Sequence, residues 1–371
     1  MHEPLLRSTL EIPTAPFHEQ RVAQHVRDIA SARGLKAMTD STGNVVVRCK
    51  RGAGAKPLAF VAHMDHPGFE VESVRRDRAT LLALGDTRGR KAVGAELIAQ
   101  TEHGEVPGVL TAIRERESGT DRNKRVLAEF RGPVAVGDFA HWAFPGYRRR
   151  GKRIWSRAID DVAGVAALLA AIEVLVEGEA PCDLYACFTR AEEVGFVGAT
   201  ALASGKVLSK SVPVVSIEMS KALPGAEQGK GYVVRLGDRL TLFDPSLTQF
   251  LMDTARWLES DSSVPFQSRL MDGGACEATA FNALGFAASG VCLPLGNYHN
   301  QGTDGLAPEF IHADDWQGLV RFIVAACERS NAYQRKQGDV KERVFDFYQR
   351  YRNRLLVGIE TALAPDRLPV R

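Results

Sequence analysis

The hydrophobic pattern of the N-terminal part predicts one helix and two strands. Apolar residues recur at helical spacing over residues 18–33, and Gly34 follows as a stop signal, which predicts a surface helix. Residues 44–48 and 57–62 are apolar runs that predict strands. Because the second run is continuously apolar, it is typical of a sheet that is buried on both faces.

Helix and strand patterns alternate in the second half of the chain. We predict helices at 161–176, 198–204 and 314–328, and strands at 182–188, 212–217 and 286–293. Such alternation is typical of a mostly parallel sheet that is covered by helices on both faces. The predicted fold class is therefore α/β, with a mixed, mostly parallel sheet flanked by helices.

Residues 69–156 have a different pattern from the parts on either side. Short apolar stretches are separated by turns rich in glycine, aspartate and arginine, which predicts a small β-rich unit. Domains of roughly 100 to 200 residues are usual, so 371 residues favour two domains. We predict one α/β domain, formed by residues 1–68 and 157–335, that is interrupted by this β-rich insertion.

The C-terminal residues 336–371 form a predicted helical tail. Apolar residues recur there at helical spacing among several arginines, so the helix is amphipathic. They are Val340, Val344, Phe347, Tyr348, Tyr351 and Leu355. A structural helix that packs on the main domain and a helix that contacts another subunit both explain this pattern.

Composition and charge exclude several classes of partner. The 47 basic and 45 acidic residues give a net charge of +2, which supplies no field for gathering nucleic acid or anionic lipid. The longest apolar run, 162–172, is shorter than the roughly 20 residues that span a bilayer. The N-terminal segment lacks the features of a secretory signal, and the six scattered cysteines do not form a CxxC pair. We therefore expect a cytoplasmic protein without nucleic-acid or membrane partners and without a disulfide framework.

Residues able to bind metal follow several predicted strands, at the end where α/β sheets place their ligands. His63 and Asp65 come directly after the buried strand, and an imidazole with a neighbouring carboxylate is a common arrangement in metal sites. The other candidates are Asp160 and Asp161 before a helix, Glu192 and Glu193 after a strand, Glu218 at the end of a strand and His299 in a loop. Together they predict a metal site at one edge of the sheet.

Each of these motifs also has a simpler structural explanation. Asp160 and Asp161 are typical of helix caps. The adjacent carboxylates after residue 191 could belong to a solvated turn, although two neighbouring carboxylates away from water need a cation or a proton. A lone histidine such as His299 is more often a hydrogen-bonded loop residue. The shared placement of all the motifs after strands favours metal binding over several unrelated explanations.

As a set, the motifs resemble those of peptidase family M42, the cobalt- and zinc-dependent glutamyl and leucyl aminopeptidases of the tetrahedral-assembly type. This family shares a clan with M20 and M28. The resemblance extends from about residue 5 to about residue 330. It includes Ala62-His63-Met-Asp65 with Pro67-Gly68, Ala158-Ile-Asp160-Asp161 with Gly164, Glu192-Glu193-Val-Gly195 with Gly198-Ala199, Gly273-Gly274 and Tyr298-His299.

The resemblance implies a zinc-peptidase-like fold and a site that holds two divalent metal ions. Asp160 would bridge them, His63 and Glu218 would complete one site, and Glu193 and His299 would complete the other. Glu192 would act as the general base, and Asp65 would orient His63. Zinc is the expected metal, with cobalt or manganese also compatible with these ligands.

The same resemblance carries three further expectations. It implies a cis peptide bond between Asp160 and Asp161. It implies that the insertion is a PDZ-like β-barrel that mediates dimerisation, and that the protein is a homo-oligomer, either a dimer or a dodecamer. The expected activity is removal of N-terminal residues from short peptide substrates.

The chain departs from the usual family pattern at three places, which leaves alternatives open. Glu218 stands where aspartate is usual, Val162 stands where arginine is usual, and residues 275–277 differ from the usual threonine and aspartate. In the related families glutamate at position 218 is commoner among carboxypeptidases and deacylases, so a metal-dependent amidohydrolase is the first alternative. A non-catalytic metal-binding oligomeric scaffold is the second. Glu277 is a candidate for recognising a substrate ammonium group.

Overall fold

The computed structural model describes residues 2–76, 78–87, 92–114, 124–333, 344–346 and 348–352. The first elements are α1 (Glu3–Leu10), α2 (Gln20–Ala32), β1 (Ala37–Thr39), β2 (Val45–Arg51) and β3 (Leu58–His63). The positions of α2, β2 and β3 agree with the predicted helix and strands. Every residue of β3 is buried, as expected of a strand that is covered on both faces.

The next six strands form the β-rich insertion. They are β4 (Gly68–Arg75), β5 (Arg78–Leu84), β6 (Glu96–Thr101), β7 (Gly104–Arg114), β8 (Arg125–Phe130) and β9 (Phe139–Trp142). All neighbours pair antiparallel, and the sheet closes into a barrel in the order β4-β5-β8-β7-β6-β9. Phe69 and Trp142 meet edge to face inside it, with ring centres 5.0 Å apart. The predicted β-barrel insertion is confirmed.

The chain then returns to the α/β pattern. The hairpin β10 (Arg148–Arg150) and β11 (Arg153–Ser156) is followed by α3 (Val162–Glu177), β12 (Cys182–Thr189), α4 (Val197–Ser204) and β13 (Val214–Lys221). Strand β13 is longer than predicted at its C-terminal end, so Glu218 lies within the strand instead of directly after it. Helix α3 is buried along almost its whole length, because its sequence is nearly all apolar.

The remaining elements complete the sheet and its helical layers. They are β14 (Tyr232–Asp238), α5 (Pro245–Ser262), β15 (Phe266–Met271), α6 (Glu277–Ala283), β16 (Ala288–Leu295), β17 (Glu309–His312) and α7 (Ala313–Glu328). The sequence pattern identified β16 and α7, whereas the elements between residues 232 and 283 were not predicted. Strand β17 pairs with β11, which joins the hairpin to the main domain.

The main sheet has eight strands in the order β1-β2-β12-β3-β13-β16-β14-β15. The four central strands, β12, β3, β13 and β16, run parallel, and β2 and β14 pair antiparallel with the outer members of this group. Two apolar clusters flank the sheet, the larger formed with α1, α2, α3, α5 and α7 and the smaller with α4 and α6. The predicted mixed, mostly parallel sheet between helices is therefore confirmed.

The predicted tail lies largely outside the described residues. Residues 344–346 and 348–352 are helical and exposed to solvent. Within the described part of the chain, every helix is too short or too polar to cross a lipid bilayer.

Candidate metal centre

The parallel central strands bring the predicted ligands to one edge of the sheet. His63 is the last residue of β3 and pairs in register with Thr189, the last residue of β12. Glu192 and Glu193 follow Thr189 directly, and β16 leads into the loop that carries His299. The side chains meet because the carboxyl ends of adjacent parallel strands lie at the same edge of a sheet.

The Asp160 carboxylate lies between two histidines. Its Oδ1 atom is 3.6 Å from Nε2 of His63, and its Oδ2 atom is 3.5 Å from Nε2 of His299. One carboxylate therefore faces both imidazoles, each through a different oxygen. This is the arrangement that a bridging ligand requires.

Two further carboxylates complete a pair of three-residue clusters around Asp160. Oε1 of Glu218 lies 3.6 Å from Nε2 of His63, and Oε2 of Glu193 lies 3.3 Å from Nε2 of His299. Within each cluster the potential ligand atoms lie within 4.8 Å of one another. The structure thus brings together all five side chains that the sequence singled out as metal ligands.

Several atoms of this cluster are buried without a hydrogen-bond partner. They are Nε2 of His63, Oδ1 of Asp160, Oε1 of Glu193 and Oε2 of Glu218. A buried polar atom without a partner is costly, and a set of imidazole nitrogens and carboxylate oxygens suits a divalent transition metal. The residues present therefore fit the metal ions that the sequence resemblance implied.

The electrostatics of the cluster point the same way. Burial, with a further contribution from the neighbouring Asp160 carboxylate, raises the pKa of Glu218 to about 8. Burial opposes ionisation of Asp160 too, but His299 and His63 hold its pKa well below the usual range. Burial also raises the pKa of Glu192 well above its ordinary value. This concentration of carboxyl groups away from water favours a bound cation.

Asp65 holds the glutamate pair through the backbone. Its Oδ1 and Oδ2 atoms accept hydrogen bonds from the backbone N–H groups of Glu192 and Glu193, at 3.0 and 3.1 Å. Nδ1 of His63 lies 3.1 Å from the backbone oxygen of Asp65 and 3.5 Å from Oδ1 of its carboxylate. This contact places the hydrogen of His63 on Nδ1 and leaves Nε2 free as a ligand atom.

The peptide bond between Asp160 and Asp161 is cis, which confirms the prediction. The Asp161 carboxylate is fully buried beside the cluster, and both of its oxygens lack a hydrogen-bond partner. A Cβ atom at Gly164 would lie 2.1 Å from Oδ1 of Asp161, so glycine at this position makes room for the side chain. Sequence reasoning noted Gly164 only as part of a motif.

Glu309 is a site residue that sequence reasoning missed. Its fully buried carboxylate accepts backbone hydrogen bonds from Ile159 and Asp160 through Oε2, at 2.8 and 3.1 Å. Through Oε1 it accepts another from His299, at 2.8 Å. The one available signal was an acidic residue at the start of a short apolar strand, and that signal is weak by itself.

His66 and Asn300 were also missed, and they join the same two segments. Nδ1 of His66 donates to the backbone oxygen of Asp160 at 2.7 Å, and Nε2 lies 3.1 Å from Oδ1 of Asn300. The Asn300 side chain donates to the backbone oxygen of Arg157 at 3.0 Å. These contacts fasten the segment before α3 to the loop that carries His299.

Comparison with known proteins agrees with this geometry. The family model of the M42 glutamyl aminopeptidases matches residues 43–304. The chain belongs to this family. It is therefore a metallopeptidase, and the clusters around Asp160 are groups that could hold a metal ion.

Solved structures of similar proteins share the fold. An aminopeptidase from the archaeon Desulfurococcus kamchatkensis is 22% identical with a TM-score of 0.76, over 91% of this chain and 98% of that one. A TET aminopeptidase from a marine-sediment Thaumarchaeota archaeon is 20% identical with a TM-score of 0.75, over 90% of this chain and 99% of that one. The TET1 peptidase of Pyrococcus horikoshii is 23% identical with a TM-score of 0.72, over 88% of this chain and 99% of that one.

Glu218, which departs from the usual M42 pattern, has a buried cationic neighbour. The Arg235 side chain on β14 is almost fully buried, and its Nη1 atom lies 3.8 Å from Oε2 of Glu218. Nε and Nη1 of Arg235 have no hydrogen-bond partner. Both residues line a narrow cleft with Gly273, Gly274 and Tyr298. This cleft opens beside the metal centre of the M42 chain.

Glu277, the candidate for recognising an ammonium group, begins α6 and is fully buried. Its Oε1 atom accepts a hydrogen bond of 2.5 Å from the Thr189 hydroxyl, and its Oε2 atom lacks a partner. Burial raises the pKa of Glu277 to about 7. The structure therefore places it behind the end of β12, close to the metal centre.

Proposed function

We propose that this M42 metallopeptidase is an aminopeptidase that removes N-terminal residues from short peptides and holds two divalent metal ions. His63 and Glu218 would bind one ion, Glu193 and His299 would bind the other, and Asp160 would bridge them. The observation that carries the proposal is the Asp160 carboxylate, whose two oxygens lie 3.6 and 3.5 Å from Nε2 of two different histidines. Zinc is the proposed metal, and cobalt or manganese suit the same ligands.

Glu192 is the proposed general base. Its buried carboxylate lies beside the cluster, with Oε2 3.9 Å from Nε2 of His63. Bound divalent ions would polarise the scissile carbonyl group and lower the pKa of a water molecule. Glu192 would then take a proton from the attacking water and deliver it to the nitrogen of the leaving amine.

Asp65 and Glu277 have supporting roles in this proposal. Asp65 keeps Glu192 and Glu193 in place through their backbone N–H groups and orients His63. Glu277 offers an unpartnered carboxylate oxygen, Oε2, that would accept a hydrogen bond from the ammonium group at the peptide N-terminus. A buried carboxylate would bind this charged ammonium group more strongly than a neutral, acylated N-terminus.

We also propose that the chain forms a homo-oligomer, with the β-barrel as the dimerisation domain. The similar TET1 peptidase of Pyrococcus horikoshii assembles into a tetrahedron or a large octahedral shell. Sedimentation of the full chain should give a mass of at least two subunits. A mass near 40.5 kDa at all concentrations would refute the oligomer.

The proposed location is the cytoplasm. All six cysteines are free in the structure, which is typical of proteins in reducing compartments. Fractionation of cells with an antibody against the chain would test the location, and recovery outside the cytoplasm would contradict it.

The activity is tested with a pool of peptides in which half have free and half have acetylated N-termini. Mass spectrometry after incubation with the metal-loaded protein should show N-terminal residues lost from the free peptides alone, and a chelator should abolish the loss. Removal of acetyl groups or of C-terminal residues would favour the amidohydrolase, which the glutamate at position 218 motivates. An unchanged pool would favour a non-catalytic scaffold.

A further inference from the structure

An apolar groove crosses the helical layer of the main domain, between α5 and α7. Its larger apolar lining residues are Val174, Trp257, Leu258, Trp316, Val320 and Val324, and its volume is about 530 Å³. Trp257 is the largest exposed contributor, with 38% of its surface accessible. Helices α3, α5 and α7 cover one face of the sheet, so the groove is separate from the metal centre at the strand ends.

The rim of the groove carries charge that the described residues do not neutralise. Arg321 and Glu328 are exposed on α7 and line the groove, and neither forms an ion pair within the described part of the chain. An apolar floor with a polar rim is the usual form of a groove that receives an amphipathic helix.

The helical residues 344–346 and 348–352, called the tail helix below, present a matching surface. Val344, Tyr348 and Tyr351 follow the i, i+4, i+7 spacing, so they lie on one face of the helix. The structure leaves this face exposed, with accessible fractions of 61%, 49% and 48%, so docking would require the tail helix to move into the groove. A short helix with an apolar face gains most of its stability by packing that face against another surface.

We propose that the tail helix docks in the groove of its own chain, with the face formed by Val344, Tyr348 and Tyr351 against Trp257 and Val324. Helix α7 ends at Glu328, which lines one end of the groove. The described chain continues from there as far as Tyr333. The path to the groove is therefore short.

The connecting segment is long enough for the tail helix to reach back. Ten residues, 334–343, separate Tyr333 from the tail helix, and an extended segment of that length spans up to about 33 Å. The groove follows α7 from Trp316 to Glu328, which is about 18 Å at the helical rise. A tether of this length keeps the helix at millimolar effective concentration near its own groove, which favours docking within one chain over docking between chains.

Cross-linking in the full-length protein tests the proposal. We would place one cysteine on the groove rim and one beside the apolar face of the tail helix, as Arg321→Cys and Arg352→Cys. All six native cysteines are buried, so a short bismaleimide should react first with the new pair. The matched control pairs Arg352→Cys with Lys206→Cys, an exposed position after α4 on the other side of the sheet.

The expected result is a link within one chain that forms at least about tenfold more than in the control, because tethering raises the effective concentration. When Tyr348→Ser and Tyr351→Ser are added to the test pair, the cross-link yield should fall to that of the control pair. Adding Asp346→Ser and Arg350→Ser, on the other face of the tail helix, should leave the yield high. A link between two chains, seen as a dimer on a denaturing gel, would overturn docking within one chain. A yield equal to that of the control would overturn docking altogether.

Discussion

Oε1 of Glu309 lies 2.8 Å from the backbone nitrogen of His299 and accepts its hydrogen bond. The other oxygen of the same carboxylate accepts hydrogen bonds from the backbone of Ile159 and Asp160. Glu309 thereby joins the backbone of Asp160, the proposed bridging residue, to that of His299, although its own side chain is not among the proposed ligands. We therefore expect the proposed metal centre to depend on this buried support as well as on its ligands.

Replacing Glu309 with glutamine should weaken metal binding. The amide group of glutamine keeps one acceptor oxygen, but its NH₂ group cannot accept a hydrogen bond from a backbone N–H. Either the segment of Ile159 and Asp160 or the loop of His299 therefore loses its hydrogen bond to this side chain. We expect metal affinity to fall by about 10- to 100-fold, measured by competition with a chromophoric chelator. Glu259→Gln, on the exposed face of α5, is the control. Equal affinity in both variants would show that the Glu309 contacts do not support the site.

Replacing Glu192 with glutamine should separate catalysis from metal binding. The amide is nearly isosteric but cannot accept the proton of the attacking water, so kcat should fall by about 10²- to 10⁴-fold. The amount of bound metal should stay the same, because Glu192 is not a proposed ligand. A variant that hydrolyses peptides at the normal rate would remove Glu192 from the mechanism.

Replacing His299 with alanine should remove one metal ion. Only Glu193 and the shared Asp160 would remain at that half of the cluster. Elemental analysis after dialysis should therefore give about one equivalent per chain instead of two. His103→Ala, at an exposed turn of the barrel, should keep both ions. Unchanged metal content in the His299 variant would be incompatible with its role as a ligand.

The sequence predicted that the proposed ligands lie together, because they follow strong structural signals. His63 ends a continuous apolar strand, and Glu192 and Glu193 follow the neighbouring one, so parallel pairing brings them together. No comparable signal marks Glu309, whose role depends on backbone groups that are more than 140 residues away in the sequence. Such a contact follows from the folded arrangement of two loops and not from any local pattern.

The elements between residues 232 and 283 were missed for a related reason. Strand β14 contains Arg235, which reads as a surface residue in the sequence but is almost fully buried beside Glu218. Strand β15 is partly exposed and half of its residues are polar, as expected at the edge of a sheet. Tertiary contacts override the local pattern at both strands.

Replacing Gly164 with alanine should destabilise the protein and disturb the metal centre. The added Cβ atom would lie 2.1 Å from Oδ1 of Asp161, so this buried carboxylate would have to move. We expect a loss of about 1–3 kcal/mol in the free energy of unfolding, measured with urea. Gly273→Ala is the control, because its nearest neighbour is Cδ1 of Leu223 at 3.9 Å. Equal stability of the two variants would contradict the proposed packing.

His141 should make the protein less stable in acid. Burial, with a further contribution from Arg157, lowers its pKa to about 3 in the folded chain, against the ordinary value of 6.5. Between these two values the unfolded chain binds a proton that the folded chain does not, so stability falls as the pH decreases from 6.5 to about 3. This residue should contribute a slope of up to about 1.4 kcal/mol per pH unit.

Replacing His141 with glutamine should remove that contribution. Urea unfolding at several pH values should show a shallower loss of stability for the variant, with His103→Gln as the exposed control. A slope that matches the wild type in this range would mean that His141 is protonated in the folded chain.

The central claim, a two-metal aminopeptidase, is tested most directly by titrating the metal-free, full-length protein with zinc. Bound zinc per chain and hydrolysis of a peptide with a free N-terminus would be measured on the same samples. The account predicts that activity rises to its maximum as the second equivalent binds, and that the acetylated form of the peptide stays intact throughout. Full activity with one equivalent or with none would contradict it.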